Sequence, residues 1–392
     1  MKTIICDRTA LLYWRTPPIV RLLASAPEDD ELLRSIVGEQ RLRQFRDELA
    51  QESVLVQTLR GDTLRKAHFG PEAERIRQLA YVLAPSVRAP VDLLAHAPND
   101  RRASQIAHPR VWQEKLPPGS ELALADGTSV VSPEFALLEI ASRASLVQTA
   151  LLCSEFCGKF AVYRAPQAVD RLLQELAGQR RLPSYEGWTP VLGQDGTVGT
   201  LWTRDPLCTP EGLLACADAS ASRKGRARLC KATALVVPGA ASPFEVQAGI
   251  LLGWGPRLGG EGYAGFEHNH LVRLLPSAQR VAQRSHCVCD LYWAGDDTHR
   301  ALDVECQSEE HHAGGHEGLS DANRATALQI MGTDVIELTY GQLTDTARFT
   351  AVSRLVAKRL GRDFHEKTQL EWKKALGLRK EIFVDWASLA DV

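Results

Sequence analysis

The sequence predicts an α/β fold in which a mixed sheet flanked by helices forms the C-terminal part, preceded by a mainly helical α+β region. Three observations carry this. From Ser242 onward the hydrophobic pattern reads helix, three strands, helix, strand, helix, a domain of about 130 residues. Three helix starts share one punctuation, Ser132-Pro133-Glu134, Thr209-Pro210-Glu211 and Ser242-Pro243-Phe244-Glu245, each with a hydroxyl at the N-cap and Pro at the first helical position. The third adds Glu at N3, the pattern of a capping box. Finally, 392 residues with 44% hydrophobic and 24% charged side chains are ordinary globular usage, enough for two or three domains of roughly 100–200 residues. A disordered chain, a collagen and a disulfide knot are excluded. The net charge of −2 excludes a polycation, so any contact with nucleic acid must come from local patches.

Along the chain, residues 1–65 read as mainly helical, with an acidic entry at Glu28-Asp29-Asp30-Glu31. Residues 87–131 are mixed and Pro-rich, with short strands expected at Val91–Ala95 and Glu121–Leu124. Ser132 to Phe160 reads as two short helices, closing an N-terminal domain over 1–165. Residues 166–235 read as a bridge with the densest basic run of the chain, Arg223 to Arg228. The main α/β domain is expected over 236–365: a helix from Pro243, a Gly-rich loop 253–265, strands at 271–275, 288–293 and 301–307, a helix 321–331 ended by Gly332, a strand 335–340 and a helix 349–360. Residues 366–392 form a charged, helical tail. Nine Lys/Arg against four acids over 354–381 offer a surface for a phosphate backbone.

No stretch approaches the roughly 18 apolar residues of a membrane helix, and the N-terminus has no secretory pattern. The nine scattered cysteines then point to reduced thiols in a cytoplasmic protein.

The chemistry concentrates on the two strands around the polar turn 294–299. Side chains alternate along a strand. In the first strand Cys287, Cys289, Leu291 and Trp293 are expected to face one way, Asp290 and Tyr292 the other. In the second, Leu302, Val304 and Cys306 face the core while Asp303, Glu305 and Gln307 share the opposite side. As a hairpin, one face would collect Asp290, Asp303, Glu305 and Gln307. Carboxylates so crowded repel unless neutralised, and hard divalent cations neutralise them with oxygen ligands. The same alternation also describes the solvated face of an edge hairpin.

Asp290, Glu305-x-Gln307, the nearby His311, and Asp321-x-x-Arg324 opening a helix resemble the PD-(D/E)XK nuclease superfamily, in its very-short-patch-repair-like branch. The resemblance covers roughly 240–362. It implies a restriction-endonuclease-like fold and a Mg²⁺- or Mn²⁺-dependent DNA endonuclease. Asp290 and Glu305 would be the metal ligands, and Glu245 would orient water or approach the metal. His311 would orient water or protonate the leaving oxygen, and Arg324 would hold a phosphate or pair with Asp321. Gln307 stands where the family often has Lys, and Gln offers a hydrogen bond but no charge. Arg226 and Arg228 are the other candidate DNA contacts. The alternative implied by Gln307 is a non-catalytic DNA-binding regulator on a degenerate nuclease fold.

Asp7 to Arg15, Val130-Val131-Ser132-Pro133-Glu134 and Glu155-Phe156-Cys157-Gly158 resemble the abortive-infection type IV antitoxin (AbiEi) family. This implies a bacterial phage-defence or toxin–antitoxin setting with a protein partner. A third reading starts from seven of the eleven histidines, which fall within residues 268–316. With Cys287, Cys289 or Cys306 they would serve a zinc-dependent hydrolase. Against it stands the expectation that Cys287 and Cys289 lie on the apolar face, where free Cys behaves as a small hydrophobe.

Overall fold

The computed structural model describes residues 3–27, 29–57, 82–85, 87, 90–96, 107–124, 127–220, 223–307 and 315–391, with 315–321 as backbone only. They make two compact units. One comprises the chain up to Thr149, Ala161–Ala234 and the residues from Trp386 on; the other comprises Ala150–Phe160 and Leu235–Asp385. Residues 166–234 of the expected bridge therefore belong to the first unit, and the expected tail is divided between the two.

In the first unit β1 (Ile4–Ile5) runs straight into α1 (Asp7–Arg15), followed by α2 (Pro18–Ser25), α3 (Glu31–Ile36) and α4 (Glu39–Glu52). The acidic entry is in part a cap: the Asp30 carboxylate accepts the Leu33 N–H at 3.0 Å. Strands β2 (Val91–Ala95), β3 (Ala107–Val111), β4 (Glu121–Ala123) and β5 (Ser129–Val131) complete a five-stranded sheet in the order β3-β2-β1-β5-β4. The two-residue β1 sits at its centre, antiparallel to β2 and parallel to β5. Helices α5 (Pro133–Ala141) and α6 (Leu146–Phe156) follow as expected, α6 passing into the second unit from Ala150, then β6 (Phe160–Val162) and α7 (Gln167–Gly178). The hairpin β7 (Thr189–Leu192) and β8 (Val198–Thr203) gives a three-stranded sheet, β6-β8-β7, and α8 (Pro210–Asp218) and α9 (Arg226–Thr233) close the segment. All three hydroxyl caps form: Ser132, Thr209 and Ser242 accept the N–H of Phe135, Gly212 and Glu245 at 3.3, 3.1 and 3.2 Å.

The second unit is built around α10 (Pro243–Gly253), which is buried at every position from Phe244 to Leu252. A helix apolar on all sides belongs in the middle of a domain. Gly249 and Gly253 lie one turn apart on it, and a Cβ on either would come within 3.0 and 2.8 Å of the Phe266 ring. Glycine here lets the chain entering the sheet press against the helix. The elements that follow are β9 (Glu267–Arg273), α11 (Pro276–Ala282), β10 (His286–Trp293), β11 (Ala301–Gln307), α12 (Gly315–Ile330), β12 (Thr333–Thr339), α13 (Tyr340–Thr344), α14 (Thr346–Arg359) and α15 (Gln369–Ile382). The sheet order is β12-β11-β10-β9. Its first three strands in sequence are antiparallel neighbours, whereas β11 and β12 are parallel. Parallel neighbours need a crossover, which α12 supplies.

The expected mixed α/β architecture is present, with differences of detail. β9 begins four residues before the expected 271, because polar Glu267, His268 and His270 hide it. Helix α11, begun by Pro276, was not expected, and α12 starts at Gly315 instead of Asp321. Among the described residues no helix is long and apolar enough to cross a membrane.

Candidate functional site

Helix α12 aims one side chain at the sheet. Ala327 and Leu328, three and four residues after Arg324, are fully buried in a core formed with Leu274, Ala278, Cys287 and Cys289. Spacing of three and four residues keeps a helix face constant, so Arg324 points the same way. Its guanidinium pairs with the Glu305 carboxylate and donates to the Val288 carbonyl. The expected local pair of Arg324 with Asp321 falls on a side chain outside the described residues.

The alternation expected for β10 is broken at Asp290. The β9–β10 ladder pairs Cys289 with His270 and Leu291 with His268 but leaves out Asp290 and Asn269. Asn269 there adopts the left-handed φ of 50°, a conformation Asn tolerates better than most residues. The irregularity inverts the strand. His270, opposite Cys289, stacks on Tyr292 with ring centroids 4.3 Å apart, although Cys289 and Tyr292 are three residues apart. Tyr292 in turn pairs with Asp303. The expectation that Cys289 lies on the face away from the acids is therefore wrong. Its Sγ lies within 4.8 Å of a carboxylate oxygen of both Asp303 and Glu305, and all three residues are buried.

Asp290 accepts the Cys306 N–H at 2.8 Å, where the β10–β11 pairing ends. Desolvation raises its pKa well above the ordinary carboxylate value, and the charges of Glu305 and Glu245 raise it further. Burial and then Asp303 push Glu305 up to about 10, against the pull of Arg324. Burial raises Asp303 to about 6, with the Asp290 charge adding to it. Asp303 is fully buried and takes no backbone N–H, hydroxyl or guanidinium donor among the described residues; a protonated Glu305 carboxyl and the Cys289 thiol are the groups near enough to donate to it. Such a carboxylate is costly unless a cation or a proton compensates it.

Glu245 does more than cap. Its backbone N–H goes to Ser242, while its carboxylate accepts from Ala241 N, Ser242 Oγ and Asn269 Nδ2 at 2.8, 2.9 and 2.6 Å. The carboxylate thus reaches the N–H one residue before the N-cap, not the N-cap N–H of a capping box. With three donors it is satisfied, and it acts on Asp290 through its charge. Lys159 acts on Glu245, and Arg324 acts on Asp290, Asp303 and Glu305. Three carboxylates around one guanidinium leave an excess of negative charge that protons or a divalent cation would remove. That excess and the buried Asp303 are what a divalent cation fits.

Gln307 ends β11, half-buried opposite Thr339. His311 lies outside the described residues. Arg226 pairs with Asp218 at 2.9 Å, and Arg228 donates to the carbonyls of Ala141 and Ala144 near the end of α5. Both basic candidates thus have intramolecular partners. In the basic C-terminal stretch, Arg354, Arg359 and Lys367 likewise pair with Glu366, Asp334 and Glu261. The buried His268 has its Nδ1 3.2 Å from the Asp290 carbonyl, and burial lowers its pKa to about 4, so it is neutral.

Asp303→Asn tests the electrostatics. A raised carboxyl pKa means that the stability it permits is complete below its ordinary value of 3.8 and is lost as pH rises through about 6. In metal-free protein the variant should melt like wild type near pH 4 and higher above pH 6, by about 2 kcal/mol. Mn²⁺ should stabilise wild type and, because Asp290 and Glu305 remain, the variant as well. Melts at both pH values, with Mn²⁺ and with chelator, check both statements.

A second buried charge network, missed from the sequence, lies in the first unit. Asp7 has a left-handed φ of 53° and gives its N–H to Glu139 Oε2 at 2.7 Å. Its carboxylate pairs with Arg143 and with Arg110 Nε, the latter at 3.0 Å; Arg110 also binds Asp92 at 2.9 Å. Burial, then the Asp7 charge, raises Glu139 to about 8. By the same sign argument, Glu139 costs stability as pH rises from its ordinary 4.5 to 8. Glu139→Gln should stabilise the fold by on the order of 3 kcal/mol at pH 8 and far less at pH 5, read as a higher melting temperature at the higher pH.

Comparison of the chain with family models, with curated proteins and with solved structures finds no match in any of the three.

Proposed function

We propose that the second unit is a divalent-cation-dependent phosphodiesterase of the PD-(D/E)XK nuclease type acting on DNA. The observation that carries this reading is Asp303, a fully buried carboxylate that takes no backbone N–H, hydroxyl or guanidinium donor among the described residues, set beside Glu305 and Cys289 and within the field of the Asp290 charge. The mixed sheet between α10 and α12 supports it, since it holds Asp290 and Glu305 on neighbouring strands in the order the resemblance implies.

In this reading Asp290 and Glu305 are the ligands of Mg²⁺ or Mn²⁺, with Asp303 behind them. The ion supplies Lewis acidity toward the phosphodiester and acidifies water. Glu245, held by three donors, keeps Asp290 basic enough to bind a cation. Gln307 offers its amide to orient water but cannot offset developing charge. Arg324, which neutralises Glu305 in the metal-free chain, is the guanidinium placed to take a phosphate once a cation holds Glu305. A defence or toxin–antitoxin setting rests on the resemblance of the N-terminal part alone.

A second reading, a DNA-binding regulator without cleavage, is favoured by one observation: Arg324 already satisfies Glu305 without a metal. The two separate in a paired assay. Cleavage of plasmid and single-stranded DNA is measured with Mn²⁺ and with chelator, and binding is measured in chelator. Mn²⁺-dependent cleavage supports the enzyme, and binding without cleavage under either condition supports the regulator.

A further inference from the structure

We infer that Cys289, Asp303 and Glu305 form a mixed thiolate–carboxylate site for a borderline divalent cation of the zinc class. The three ligand atoms lie within 4.8 Å of one another in a buried setting. More than acidity marks the place, because Asp303 is fully buried and among the described residues only its two would-be co-ligands, Cys289 and Glu305, are near enough to partner its oxygens. The break at Asp290 turns the Cys289 sulfur, otherwise part of the core beside Cys287, toward Asp303 and Glu305. Cys289 is not engaged in a disulfide, so its sulfur is available as a ligand.

Ligand chemistry selects the ion. Mg²⁺ demands oxygen ligands and dehydrates reluctantly, whereas Zn²⁺ and Co²⁺ accept a thiolate together with carboxylates. Three protein ligands leave a fourth tetrahedral position open, the arrangement of zinc sites that act on a substrate or water. The inference shares Glu305 with the phosphodiesterase reading but does not need cleavage to be true.

The test uses the full chain, stripped with a chelator, kept in a non-thiol reductant and titrated with Co²⁺ alone. One equivalent should produce a thiolate-to-cobalt charge-transfer band. Zn²⁺ should remove the band, and a large excess of Mg²⁺ should not. Cys289→Ser should lose the band and bind Zn²⁺ at least roughly tenfold more weakly, since even residues outside the ligand set are commonly worth that much. Cys306→Ser should keep both properties. Asp303→Asn, which leaves the thiol in place, should weaken Co²⁺ binding by a similar factor in a protein that still melts cooperatively. A wild-type chain without the band, or a band undiminished in Cys289→Ser, overturns the inference. A band without any DNA cleavage overturns the phosphodiesterase reading and leaves this site standing; Mg²⁺-dependent cleavage without the band does the reverse.

Discussion

Asp290→Asn and Glu305→Gln should each lower Mn²⁺-dependent DNA cleavage by about a thousandfold or more, because loss of a ligand forfeits several kcal/mol of charge stabilisation in the transition state. Neither change should unfold the protein. Asp290 is raised by its own desolvation and by Glu305 and Glu245, so removing its charge relieves repulsion in the metal-free state. The Asn side chain can still accept the Cys306 N–H that Asp290 accepts now. In Glu305→Gln the amide oxygen can still face Arg324. The expected signature is therefore loss of activity with an unchanged or higher melting temperature in chelator. Cleavage that persists in both variants, or that needs no divalent ion, contradicts the mechanism.

The second large effect is a gain. Gln307→Lys should raise cleavage by up to roughly a hundredfold, the usual scale of one well-placed electrostatic contribution. The residue closes β11 two positions after Glu305 and is half-buried, so a lysine there places its ammonium beside the acids with part of its stem covered. In metal-free protein the same ammonium offsets some of the excess negative charge, and the variant should melt higher. A regulator that only binds DNA would gain a little affinity and no cleavage. Strong wild-type cleavage destroyed by Gln307→Lys would show that the amide itself positions the water, and the charge argument would fall.

Much of the second unit is legible in the sequence. Its strands are long enough to alternate, and Ser242-Pro243-x-Glu245 marks the start of α10 where the structure has it. Residues 301–307 form β11 as read. What the sequence hides is the consequence of one residue. A regular strand would carry Cys289 away from Asp303, and the prediction rested on that regularity. Asn269 at positive φ and the unpaired Asp290 invert the alternation, and nothing in the pattern of apolar residues records it. The only available signal was Asn itself in a strand-like stretch, a residue otherwise rare there. Arg324 was placed on the correct helix, but its pairing with Glu305 spans 19 residues and depends on how α12 packs.

The first unit was less legible for a different reason. β1 and β5 contribute two and three residues, too few to show any period. The Asp7 network joins β2, β3 and α5 to the start of α1, and charge pairs so far apart in sequence leave no spacing to read. The same holds for the end of the chain. Arg15 donates to the Trp386 carbonyl at 2.7 Å, which assigns Trp386–Asp391 to the first unit although composition made it one tail with α15.

Anomalous diffraction from crystals of the full chain soaked in Mn²⁺ tests the central claim most directly. The account predicts one ion bound by Asp290 and Glu305, and Arg324 displaced from Glu305. An ion-free cluster with Arg324 still seated on Glu305 in the soaked crystal would contradict it.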